Sequence, residues 1–255
     1  MHRSDLWLLL AGLLASSVNA AAGGGTLLSF PSLMAVGLSP LAANATSTVG
    51  LLAGYVASLA GYRRDLRVLR SEVIRAALPS VLGGAGGALL LIGLGGAFFA
   101  RIVPGLLLVA SLLLLSQPLV ARLLANRPRV DHPAMLFVAT FVVALYGGYF
   151  GAGAGILFLA TLGLLYKRNL QEVNALKVFV SLIANVIAAA TFVASEALHP
   201  TGAVNYREAL PLAVGALLGG YLGVKVVRRL PPTVLRGFAA AVGLAIAAFF
   251  VLRGR

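Results

Sequence analysis

The stretch 18-VNAAAGGGTLLSFPSL-33 decides how this chain is folded. It carries no charge and is apolar enough for a bilayer, yet Gly23, Gly24, Gly25 and Pro31 interrupt it. Glycine and proline are the residues least suited to a helix interior, by about 1 and 3 kcal/mol relative to alanine. Backbone that leaves the helix at membrane depth is tolerated only where protein or a watery cavity covers it. A broken apolar segment therefore raises the question of what it encloses.

The rest of the chain has the same character. Of its 255 residues 60% are hydrophobic and only 11% charged, where a soluble domain has about a quarter charged. Apolar runs recur at the length needed to cross a bilayer, which predicts an all-α polytopic membrane protein. There is no cysteine, so disulfides, thiol catalysis and cysteine-bound metals are excluded. His2, His132 and His199 lie near segment ends with no metal-ligand spacing, and no metal or cofactor is expected. The net charge of +13 is read as loop arginines that set orientation, not as a nucleic-acid surface. Residues 1–20, with a basic start and a small-residue end, also fit a cleaved signal peptide. Their recurrence later in the chain favours an integral segment.

That recurrence is an internal repeat. Shifted by 130 positions, Gly25 falls on Gly155 and Asn44 on Asn174, with no gap across GGGTLLSFPSLMAVGLSPLAANATST. Shifted by 132, Pro79 falls on Pro211, Gly83 on Gly215, Gly87 on Gly219 and Gly105 on Gly237. The identities are few, and chance matching in a Gly/Ala/Leu-rich chain is the alternative. They fall, however, at residues with strong backbone or polar meaning. Two units are predicted, residues 4–125 and 132–253, joined by a connector at 126–131. Each has a broken segment (5–22 with 25–37; 134–151 with 155–166) and three longer ones (40–62, 72–95, 98–123; 172–196, 208–227, 233–252).

Charge placement decides what the broken segments do. If each folds back as a hairpin, Arg63, Arg64, Arg67, Arg70, Arg122, Arg127, Arg129, Lys167, Arg168, Lys225, Arg228 and Arg229 share one side. Only Arg3, Arg101, Arg207, Arg253 and Arg255 remain on the other. The positive-inside rule favours this arrangement, with both termini extracytoplasmic. A hairpin plus three crossings is an odd number, so the second unit is inverted relative to the first. That is the plan of secondary transporters, with the site where the repeats meet. Helices starting near Thr26 and Ile156 would turn N–H groups toward that site, which attracts anions. The plainer alternative is that the glycines only permit tight packing.

The segment behind each break has a polar face. Asn174, Lys177, Ser181 and Asn185 share one helix face by spacing, as do Asn44, Ser47, Thr48, Tyr55 and Ser58. Lys177 stands out, because a lysine at bilayer depth costs about 2.5–3.5 kcal/mol. The acids Asp5, Asp65, Glu72, Asp131, Glu172, Glu196 and Glu208 all lie at or near loops. Lys177 therefore either awaits a mobile anion or snorkels to the interface. The lack of buried acids argues against a cation carrier, although backbone carbonyls can also couple ions. Gly83/Gly87 and Gly215/Gly219/Gly223 are close-packing signals, read as scaffold before dimer interface. Tyr146 and Tyr149 are candidates for the cavity wall or for core packing, and Arg75 and Arg236 for snorkelling. No acid pair, histidine cluster or nucleophile–base set is present, so no catalytic residue is assigned and an enzyme is not expected.

These residues, NAAAGGGTLLSFPSL…GLSPLAANATST and GGYFGAGAGILFL…NLQEVNALKVFVSLIANVIAAATF, resemble the TauE/SafE family of membrane proteins across nearly the whole chain. The family is described as exporters of sulfite and organosulfonates in bacteria. The resemblance implies a substrate site lined by Gly23, Gly24, Gly25, Asn44, Thr46, Ser47 and Thr48 from the first unit. From the second it implies Gly153, Gly155, Asn174, Lys177 and Asn185. The second break reads GAGAG, and Thr161 stands opposite Pro31, so the two hairpins are not expected to be identical. The expectation is an inner-membrane exporter of a small sulfur oxyanion, most simply sulfite, working by alternating access. A passive anion channel, or a carrier of an organosulfonate, a metal ion or another small solute, is the alternative. The expected partners are the anionic substrate, the bilayer and a possible second copy of the chain.

Overall fold

The computed structural model describes residues 3–125, 132–166, 168, 170–200, 202–226 and 232–253. The connector predicted at 126–131 lies outside them. The described residues form helices without strands: α1 (Arg3–Ala22), α2 (Thr26–Ala35), α3 (Pro40–Gly61), α4 (Arg63–Val68), α5 (Arg70–Ala125), α6 (Pro133–Tyr149), α7 (Ala154–Leu165), α8 (Leu170–Leu198), α9 (Tyr206–Val226) and α10 (Pro232–Arg253). The segment borders read from the sequence match these closely, because the borders are chemical. Pro40 and Pro133 occupy first helical positions, where the missing N–H costs nothing. Ser39 caps α3 by accepting from the Ala42 N–H at 3.3 Å.

The long helix α5 turns sharply at Gly95 (φ 76°, ψ 169°), so the predicted segments 72–95 and 98–123 are its two limbs. The limbs 70–94 and 96–125 are about 37 and 45 Å long at 1.5 Å per residue, each more than the hydrocarbon core of about 30 Å. Among the described residues two helices, Arg70–Val120 of α5 and Gln171–Leu198 of α8, are long and apolar enough to cross a membrane. The outer surface is apolar as well: Trp7, Leu10, Leu90, Phe98, Leu108 and Leu217 are exposed. A soluble monomer rarely presents so continuous an apolar face, whereas a lipid-facing belt requires one.

Glycine seams hold the interior together. On α9, Gly215 abuts the Leu9 carbonyl and Gly219 the Leu13 carbonyl of α1. On the first limb of α5, Gly83 abuts the Phe141 carbonyl and Gly87 the Leu145 carbonyl of α6. In both pairs the numbers rise together, so α1 runs in the same direction as α9, and α6 in the same direction as residues 70–94. A third seam joins Gly54 of α3 to Gly220 of α9. The glycine motifs are thus consumed within the molecule. Small residues suit this role because lipid supplies little hydrophobic drive between helices, so close backbone packing must.

Candidate functional site

The two glycine breaks touch. A Cβ built on Gly23 would lie 2.5 Å from the Gly155 Cα, and one on Gly155 would lie 2.5 Å from the Gly23 Cα. Gly23 ends α1 with its N–H donated to the Asn19 carbonyl at 3.0 Å, and its φ of 82° is a conformation glycine adopts without penalty. The second break differs, as its sequence foretold: Gly153 is left-handed at the start of α7, while Gly25, at the start of α2, is right-handed.

Around the contact of Gly23 with Gly155 lies a small void lined also by Asn19, Tyr55, Ser58, Lys177, Val178 and Ser181. Its volume is about 10 Å³, room for one water molecule at most. Lys177 is 2% exposed, and its Nζ is buried with no hydrogen-bond partner. It does not snorkel. None of the described acids lines the void: Glu72 is taken by Arg168, with Oε1 2.6 Å from Nη2, and Glu196 accepts from the Gly202 and Ala203 N–H groups. Asp131 lies outside the described residues. The Tyr55 hydroxyl lies beside the Asn19 and Asn185 side chains, and Asn185 Nδ2 donates to the Ser181 carbonyl at 2.8 Å. An unpaired buried ammonium thus stands among hydroxyls and amides, an arrangement that suits a small anion.

The remaining residues expected at the site are held elsewhere. Asn44 Nδ2 donates to the Tyr149 carbonyl at 2.9 Å, so α3 is tied to the second break, while its Oδ1 has no partner. Thr46 Oγ1 accepts from the Asn205 N–H at 2.9 Å. Ser47 shares a 2.6 Å hydrogen bond with Ser29, and Thr48 donates back to the Asn44 carbonyl at 3.0 Å. Asn174 Nδ2 donates to the Tyr62 hydroxyl at 2.7 Å. Gly24 faces Leu114, Gly25 abuts the Ala15 carbonyl, and Gly153 faces Ala110. Tyr146 donates to the Ala152 carbonyl at 2.6 Å. Of the residues expected there, Gly23, Gly155 and Lys177 line the void, and Asn185 stands one hydrogen bond behind it.

The physical reason is the crossing of α3 and α8. Tyr62 meets Asn174, and Tyr55 meets Asn185, so the two helices are antiparallel. Beside Lys177 this brings Ser58, not Ser47. Ser47 lies eight residues before Tyr55, about 12 Å along the axis. The sequence had put Tyr55, Ser58 and Ser181 on polar faces without assigning them to the site. Asn19 went unnoticed, although it is the one amide in the apolar run of α1.

The first-turn donors are also more occupied than expected. Leu27 and Leu28 N–H fold back onto the Gly24 and Gly25 carbonyls at 3.1 and 2.9 Å, and Ile156 N–H onto Gly153 at 3.0 Å. Next to the breaks, Phe30, Phe99 and Phe150 pack together at centroid distances of 5.6 to 6.4 Å, with Tyr149 5.7 Å from Phe99. This aromatic cluster joins α2, α5 and the second break. Among the described residues no group of three or more His, Cys, Asp or Glu gathers as a metal site.

Residues 8–250 match the family described as "Sulfite exporter TauE/SafE". A "Probable membrane transporter protein" of Haemophilus influenzae is 26% identical over 232 residues, 90% of this chain and 87% of that protein. "Probable membrane transporter protein ORF9" of a Sinorhizobium species is 28% identical over 250 residues, 94% of this chain and 90% of that one. "Probable membrane transporter protein YfcA" of Escherichia coli K12 is 28% identical over 221 residues, 86% of this chain and 79% of that one. No solved structure matches the chain significantly.

Proposed function

We propose, from the premise that the chain belongs to the sulfite exporter TauE/SafE family, that it carries a small sulfur oxyanion, most simply sulfite, out of the cytoplasm across the inner membrane. The observation that carries this reading is Lys177: a buried ammonium without a partner, between two glycine breaks. The oxyanion would accept hydrogen bonds from Lys177, Tyr55 and Ser181, with Asn19 and Asn185 beside the phenol, while Ser58, whose hydroxyl donates to the Gly54 carbonyl at 2.8 Å, forms the wall.

Alternating access of two inverted units is the mechanism we favour. The contacts support it. Thr46 of α3 and Asn205 before α9 share one end of the molecule; Tyr62, Glu72, Arg168 and Asn174 share the other. Helix α1 starts beside α9 at the first end and α6 beside residues 70–94 at the second, so the broken segments enter from opposite ends. Re-entrant hairpins meeting at mid-bilayer have this geometry. A void that holds at most one water admits an anion only when the halves part, which favours a carrier over an open channel. An inside-negative potential helps anion export by about 2.3 kcal/mol per charge per 100 mV, so energetics demand no coupled ion.

The test is a thermal-shift panel of sulfite, thiosulfate, sulfate and an alkylsulfonate on purified protein, repeated with Lys177→Ala. Sulfite-like anions should stabilise the native chain and lose that effect in the variant. A variant that keeps full stabilisation removes Lys177 from the site. In liposomes, sulfite efflux should saturate and be stimulated by sulfite on the far side; flux linear in concentration would make it a channel.

A further inference from the structure

We propose that the pocket between α3, α4, the start of α5 and α8 is a binding site for one anionic phospholipid. The pocket has a volume of about 740 Å³. Its floor is apolar, formed by Val56, Leu59, Val73 and Phe179, and its rim is formed by Arg63, Arg67 and Arg70. All three arginines are exposed, and none forms an ion pair among the described residues. The neighbouring Glu72 carboxylate cannot neutralise them, because it accepts from Arg168 Nε and Nη2 and from the Ser71 hydroxyl. Asp65 on α4 and Glu172 in the first turn of α8 are the other acids at this end, two carboxylates against three guanidinium groups. Val68 and Ile74, with 63% exposure each, face outward beside the pocket, so it opens toward the acyl region rather than toward the central void.

The chemistry selects the occupant. Guanidinium groups bind phosphate in forked geometry, and basic pockets between membrane helices take anionic head groups. The apolar floor runs along α3 from Val56 to Ala60, more than one turn below the rim. An acyl chain covers that surface, and a free phosphate does not. The site rests on the chain lying in a bilayer with its basic loops at a head-group layer. It does not depend on what Lys177 binds.

The full chain in nonionic detergent decides the matter. Phosphatidylglycerol and phosphatidylcholine with identical acyl chains are titrated, with melting temperature and lipid retained in native mass spectra as readouts. Glycerol phosphate serves as the tailless head group. Phosphatidylglycerol should raise the melting temperature and be retained as one molecule per chain, and the other two should not. R63Q/R67Q/R70Q should weaken its retention by about a hundredfold, at about fivefold per arginine, while R63K/R67K/R70K keeps most of it. Lys177→Ala should respond as the native chain does. Equal effects of the two lipids, the full effect from glycerol phosphate, or undiminished retention by the glutamine variant would each overturn the site. Should the glutamine variant not fold, the lipid and head-group comparisons on the native chain still decide.

Discussion

Lys177 and the glycines around it show how much one atom can decide. A methyl group at Gly23 would press on the Gly155 backbone, 2.5 Å from its Cα, at a φ of 82°. Neither neighbour is a flexible side-chain tip, so neither can yield. Gly23→Ala should cost about 2–5 kcal/mol, combining left-handed strain with overpacking, and lower the melting temperature in detergent accordingly. Gly24→Ala is the control, since its Cβ would meet only the Leu114 side chain at 3.0 Å, which can rotate away. Equal losses in the two variants would show that the reciprocal contact of the breaks is not what constrains Gly23.

At the scale of helices, the seams make a prediction whose sign is informative. Alanine in place of a helical glycine ordinarily stabilises by about 0.5–1 kcal/mol. Gly105→Ala should follow that rule, because a Cβ there meets nothing within 4 Å. Gly219→Ala and Gly87→Ala should reverse it, each losing about 1–3 kcal/mol as α9 is pushed from α1 and residues 70–94 from α6. Thermal unfolding of the three variants in one detergent checks this. A stabilised Gly219→Ala would mean that α1 and α9 are not in backbone contact. The seams also explain why Gly83 and Gly87 matched Gly215 and Gly219 between the halves: a seam depends on the missing Cβ, and the residues facing lipid need only be apolar.

For the whole molecule, the hairpin reading fixes where the chain ends. Two folded-back breaks and six full crossings, as proposed, would leave both termini on the same side, opposite the basic loops. A reporter active only in the periplasm, fused after Arg255, should therefore be active. A silent fusion there, with a cytoplasmic reporter bright, would require each break to be a true crossing and would undo the inverted arrangement. The Arg168–Glu72 pair and the Asn174–Tyr62 bond gather at the end expected to be cytoplasmic, so the same experiment also orients the proposed lipid pocket.

The amino-acid order alone determined the local facts. The helix borders follow from proline and glycine, the two breaks from GGG and GAGAG, and the oddness of Lys177 from a chain whose acids all lie at or near loops. Each is legible because its cause is contained within a few residues. Only the tertiary structure decided who meets Lys177. An internal repeat says which positions are equivalent, and equivalent positions are not neighbours. Because α3 and α8 cross antiparallel, Tyr55 and Ser58 reach the void with Asn19 and Ser181, while Asn44, Thr46 and Ser47 lie turns away, tying α3 to its neighbours, and Thr48 bonds back within α3.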